Sequence, residues 1–102
     1  MKECCRKYLT EQFGNDPEVV EGIYAEYVLS VNAKAAEADA ALAAGAWDAL
    51  EKVAHNIKGN SLAAGDQQVA DTAIALRNAA KLQDRDQAGR LIADLRTLEK
   101  QL

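Results

Sequence analysis

From Val20 to Leu42 the apolar residues fall three or four positions apart: Val20, Ile23, Tyr24, Tyr27, Val28, Val31, Ala35, Ala38 and Leu42. That spacing is the period of one helical face. It predicts a single helix of about 30 residues, roughly 40 Å long at a rise of 1.5 Å per residue. Asn15 and Asp16 offer N-caps, and Pro17 suits the first helical position, where its missing N–H costs nothing. Gly45 ends the helix. In a chain of 102 residues one such rod leaves room for a single small domain, residues 1–102, with one modest core.

The remaining sequence divides in the same way. Residues 2–13 form a short first segment, with Cys5, Tyr8, Leu9 and Phe13 at helical spacing and Gly14 as its stop. A third segment runs from about Ala46 to Ala64 and ends at Gly65. Asp66 can cap a fourth, whose core positions are Val69, Ala73, Leu76 and Ala80. Asp84 and Gln87 have capping-box spacing. They open a fifth segment with Leu91, Leu95, Leu98 and Leu102 on one face and Ile92 beside them. Connections this short make consecutive helices antiparallel neighbours. The expected fold is all-α: an antiparallel up-down-up-down four-helix bundle over residues 16–102, with a short extra N-terminal helix packed across one end. Composition agrees, because alanine, the best helix former, is the commonest residue and aromatics are only 5%.

Charge and patterning exclude several functions. A net charge of −4 without a dense Lys/Arg cluster argues against nucleic acid as a partner. No apolar run approaches the roughly 20 residues that span a bilayer, and the polar N-terminus lacks the apolar stretch of a secretory signal. Cys4 and Cys5 are adjacent, too few for a disulfide framework or a zinc site, and read as reduced thiols of a cytoplasmic protein.

The only His, His55, sits in the middle of the third segment. With His55 set at zero on a wheel of about 100° per residue, Val53, Ile57 and Leu50 fall near 160°, 200° and 220°. The imidazole therefore projects from the solvent side, opposite the apolar face. Lys58, at i+3, leans back toward it, because helical side chains cover the turn before their own Cα. Gly59, at i+4, lacks the Cβ that would lean on the ring, at a cost of about 1 kcal/mol relative to alanine. An exposed imidazole beside a cation and an empty patch suits a phosphoryl acceptor. A lone surface His is commonly idle; the Lys at i+3, the Gly at i+4 and Gly65 at i+10 set this one apart. Leu62 falls on the same face and is a candidate docking residue, with Lys52 beside it. Trp47 reads as helix-edge packing. No second His, paired carboxylates, Gly-rich nucleotide loop or magnesium site is apparent, so activating groups are expected from a partner.

The run His55-Asn56-Ile57-Lys58-Gly59-Asn60-Ser61 with Gly65, preceded by Ala44-Gly45-Ala46-Trp47-Asp48-Ala49-Leu50, resembles the signature of histidine-containing phosphotransfer (HPt) domains. The resemblance covers residues 16–102. It implies a phosphocarrier, not an enzyme, in a multistep two-component phosphorelay. By this resemblance His55 is phosphorylated on Nε2 by a receiver-domain aspartate and passes the group to another receiver. Lys58 contacts the phosphoryl group and Gly59 keeps the surface open. The implied partners are response-regulator receiver domains and a hybrid sensor histidine kinase, either a separate protein or the longer one of which this chain is a part. Mg²⁺ is expected on the receiver, with no cofactor or metal of this chain's own, and a monomer is expected. Asn60 departs from the small residue usual after the glycine. Arg77 stands where many members carry a glutamine, as a possible phosphoryl contact. Three alternatives remain open: the phosphoacceptor domain of a chemotaxis-type histidine kinase, a receiver-binding scaffold that transfers nothing, and an unrelated helical bundle that dimerises.

Overall fold

Each helix boundary has a local cause. The computed structural model describes residues 1–102, with helices α1 (Glu3–Phe13), α2 (Pro17–Ala44), α3 (Trp47–Ala63), α4 (Gln67–Lys81) and α5 (Arg85–Glu99). Asp16 caps α2 by accepting from the backbone N–H of Glu18 and Val19, with Pro17 in the first turn. Asp66 caps α4 through Val69 N–H. Asp84 caps α5 through Gln87 N–H at 3.1 Å. The reciprocal half of the expected capping box is missing, because the Asp84 N–H is already taken by the Ala79 carbonyl at 3.0 Å.

The 28 residues of α2 give the molecule its length, 44 Å against 20 and 18 Å across. Helix α2 packs on α3, α3 on α4, α4 on α5, and α5 back on α2. This closed square is the expected antiparallel four-helix bundle. Helix α1 touches α2 and lies over the end where α3 turns into α4, as the sequence suggests.

The core is layered along the bundle. At the far end from α1, Ala38, Ala41, Ala54, Ala79, Ala80 and Ala88 surround Leu50, Leu76 and Ile92. The alanines let the helix backbones approach closely. A middle layer joins Ala35, Ile57, Val69, Ala73 and Leu95. Nearest α1, Cys5 and Leu9 pack with Val20, Tyr24, Tyr27, Val31 and Ala64. Phe13 shares the helical spacing of Cys5 and Leu9 but not their burial. It sits on the last turn of α1, beyond the reach of the bundle, and is 52% exposed. Trp47 is half-buried against the first layer, and the Arg85 guanidinium stacks 5.6 Å from its ring. Its role at the helix edge is thus packing.

Candidate functional site

His55 lies on the exposed face of α3, while Ala54 and Ile57 on the same helix are fully buried. The ring opens into a recess of about 300 Å³ between α3 and α4, lined by Asp48, Glu51, Lys52, His55 and Arg77. The structure therefore brings together three of the residues singled out in the sequence: His55, Lys52 and Arg77. Arg77 Nη1 approaches His55 Nδ1 to 3.4 Å. Lys58, Gly59 and Leu62 lie outside this recess, further along α3 toward its C-terminus. Leu62 is 42% exposed, and Ile74 of α4 is 41% exposed.

The electrostatics of this region are distinctive. Five of the 12 basic side chains are half-buried: Lys2, Lys34, Lys58, Arg77 and Arg96. Three of them have carboxylate partners: Lys2 with Asp66, Lys34 with Glu37, and Arg96 with Asp39 and Glu99. Lys58 and Arg77 have none; Arg77 lines the His55 recess, while Lys58 lies three residues further along α3, outside it. The Arg77 Nε is also buried without a hydrogen-bond partner. A partly desolvated cation without a counter-charge is costly in isolation. Within the recess Arg77 and Lys52 can stabilise an anion, set against the carboxylates of Asp48 and Glu51 that also line it.

The two glycines of the motif have different causes. Gly65 follows α3 with φ +75°, and a Cβ there would overlap the Tyr8 side chain of α1. Its glycine is demanded by the backbone conformation and by close packing. At Gly59 a Cβ would meet nothing within 4 Å. This corrects the expectation that a Cβ at Gly59 would itself lean on the imidazole; only a longer side chain could reach the ring. No contact inside the chain requires glycine there. Gly22 of α2 also stands over open space, so openness alone does not mark a site. The distinction of Gly59 is its place one turn from His55.

Asn60, the departure from the motif, ties α3 to α2 by donating from Nδ2 to Ser30 Oγ at 2.8 Å. Sequence reasoning missed this bond, because the partners are 30 residues apart and neither carries an apolar signal. No three His, Cys, Asp or Glu side chains cluster as a metal site. Cys4 is exposed and Cys5 buried, both as free thiols, at the end of the bundle nearest α1. No helix is long and apolar enough to cross a membrane.

A solvent-facing histidine on the second helix of a four-helix bundle, with an arginine of the next helix against its ring, defines a class of phosphoryl-carrying bundle. The family model for the Hpt domain matches residues 22–102, and the chain belongs to that family. Its members carry phosphoryl groups on histidine in phosphorelays, as carriers rather than catalysts, and engage receiver domains and kinases. The match begins within α2, so α1 lies outside it. No curated protein and no solved structure gives a significant match.

Proposed function

We propose that the chain is a phosphorelay intermediate in which His55 accepts a phosphoryl group from the aspartyl phosphate of one receiver domain and yields it to another. The observation that carries this reading is the exposed imidazole in a recess shared with Lys52 and with Arg77, a half-buried cation without an ion-pair partner whose Nη1 lies 3.4 Å from Nδ1. In the forward step the Nε2 lone pair forms a P–N bond as the aspartyl P–O bond breaks, and the electron pair of that bond returns to the carboxylate. Lys58 screens charge on the phosphoryl oxygens. Gly59 leaves room for the partner. Leu62 and Lys52 contribute to the docking face. The receiver supplies Mg²⁺, and the exchange takes place in the cytoplasm. The bundle acts as one domain over residues 1–102, with α1 as an added strut.

The test is incubation with a phosphorylated receiver domain. Wild-type protein takes up label that is acid-labile and base-stable, while His55→Gln takes up none and keeps its helical circular dichroism. Undiminished labelling of His55→Gln would sink the assignment. Label that arrives only from ATP and a kinase core, and never from a receiver, identifies a kinase phosphoacceptor domain instead.

A further inference from the structure

We infer that Arg77 is a latch on the His55 ring: it holds Nδ1 in the resting state and moves onto the phosphoryl oxygens when Nε2 is phosphorylated. This inference rests on His55 being the phosphoryl carrier and adds how its reactivity is controlled.

The argument starts from what a guanidinium can do. It donates hydrogen bonds and accepts none. Across the 3.4 Å contact between Arg77 Nη1 and His55 Nδ1, Nδ1 must therefore be the acceptor. A neutral imidazole carries one N–H, and with Nδ1 accepting, that proton is on Nε2. The resting ring is then unreactive at both nitrogens. Nδ1 is covered by a cation, and the Nε2 lone pair is absent because its position holds the proton.

Attack through Nε2 requires the other tautomer, with the proton on Nδ1. In that state two donors, Nδ1–H and the Arg77 N–H, would face each other, so the contact must break. The contact is at the long end of hydrogen-bond distance, so charged phosphoryl oxygens can displace it. Arg77 also has an unused donor, because its Nε is buried with no partner. It forms no ion pair with Asp48 or Glu51, the carboxylates that share its recess, unlike Arg96, which is bound to Asp39 and Glu99. A phosphoryl group brings three acceptor oxygens. They draw the guanidinium off Nδ1, the ring proton passes through solvent to Nδ1, and Nε2 becomes the nucleophile. The Nε2 lone pair forms the new bond to phosphorus. The bond from phosphorus to its leaving group breaks, its electron pair departs with that group, and the proton stays on Nδ1. Nucleophile activation is thus coupled to the arrival of the phosphoryl group.

The experiment uses the whole chain labelled with ¹⁵N and potassium phosphoramidate as the donor, a small molecule that needs no receiver and releases ammonia. Imidazole nitrogen shifts of the neutral ring report the tautomer. Unphosphorylated wild type shows a protonated Nε2 and an acceptor Nδ1. Arg77→Glu, whose carboxylate can only accept, moves the proton to Nδ1. On phosphorylation the wild-type Arg77 Nε–H signal shifts and its exchange with water slows, while that of Arg96 is unchanged. A resting ring protonated on Nδ1, an Arg77→Glu variant that keeps the proton on Nε2, or an Arg77 Nε–H signal unmoved by phosphorylation would overturn the latch. A chain that shows the Arg77 exchange yet accepts nothing from any receiver upholds the latch and refutes the relay reading.

Discussion

Lys2 Nζ lies 2.7 Å from Asp66 Oδ1, joining the start of α1 to the turn between α3 and α4. Asp66 is fully buried, and its other oxygen accepts from the Tyr27 hydroxyl at 2.8 Å. One carboxylate thereby ties α1, α2 and α4 together, beside the Cys5 and Leu9 side chains that α1 inserts into the core. Lys2→Met leaves this carboxylate without its counter-charge. The expected loss is about 1–3 kcal/mol, because Tyr27 and Val69 N–H still satisfy part of it. Urea unfolding measures the loss, and maleimide labelling of Cys5 at rates approaching those of the exposed Cys4 shows α1 lifting. A variant as stable as wild type, with Cys5 still protected, removes the pair from the account of α1 docking.

The same end of the molecule makes the fold sensitive to alkali. Burial pushes the Cys5 thiol from 9.0 up to about 12. Burial also raises Tyr24, and raises Tyr27 further, above the ordinary value of 10.0. At Lys2 burial acts in the opposite direction, but the hydrogen bond and charge of Asp66 together outweigh it and hold the ammonium above 10.5. Each group keeps a proton in the folded chain that the unfolded chain has lost, so stability falls as pH rises. This contribution is intact below pH 9.0 and disappears progressively toward pH 12 and beyond. Melting temperatures should fall from about pH 9 upward, and Cys5→Ala should move the onset to about pH 10, where the tyrosines begin. A wild-type melting temperature level across that range contradicts the assignment.

Gly59 separates the demands of the fold from those of the partner. Because a Cβ there meets nothing, Gly59→Ala should stabilise the chain by about 0.5–1 kcal/mol through helix propensity and reduced unfolded-state entropy. Gly59→Gln should gain similar stability, yet its side chain can cover the imidazole and should block receiver transfer. Thermal melts and transfer rates on the same samples make the comparison. Transfer by the Gln variant at the wild-type rate shows that the open surface is not needed.

Leu62 and Ile74 stand exposed on α3 and α4, on neighbouring helices that border the His55 recess. Leu62→Ser removes apolar surface from the proposed docking face without touching the core. Receiver affinity should weaken about tenfold, the effect of losing one modest anchor, while stability stays within about 0.5 kcal/mol. Calorimetric titration with the receiver checks the first figure. Unchanged affinity places the docking surface elsewhere.

The helices were legible because their signals are local. The three-and-four spacing of Val20 to Leu42, the caps Asp16, Asp66 and Asp84, and the stops Gly45 and Gly65 each act within a turn or two. His55 was legible for the same reason: on one helix, the direction of a side chain follows from its position. The exposure of Phe13 was not legible, because periodicity records a face but not whether anything lies against it. The Asp84–Gln87 box formed only in part because the Ala79 carbonyl, outside the four-residue pattern, reached the Asp84 N–H first.

By itself the sequence determined a five-helix order, the buried stripe of each helix, and an exposed imidazole with Lys58 and Gly59 one turn away, since all of these are set by 3.6-residue periodicity and short-range capping. The tertiary structure alone decided which groups from other helices surround that imidazole. Arg77 reaches Nδ1 because α4 packs antiparallel on α3 in one register, and Asn60 meets Ser30 because α2 does the same. Asp66 gathers Lys2 and Tyr27 because α1 folds over the end of the bundle. These are contacts between residues 22 to 64 positions apart, fixed by the register of helix packing, which no local spacing encodes.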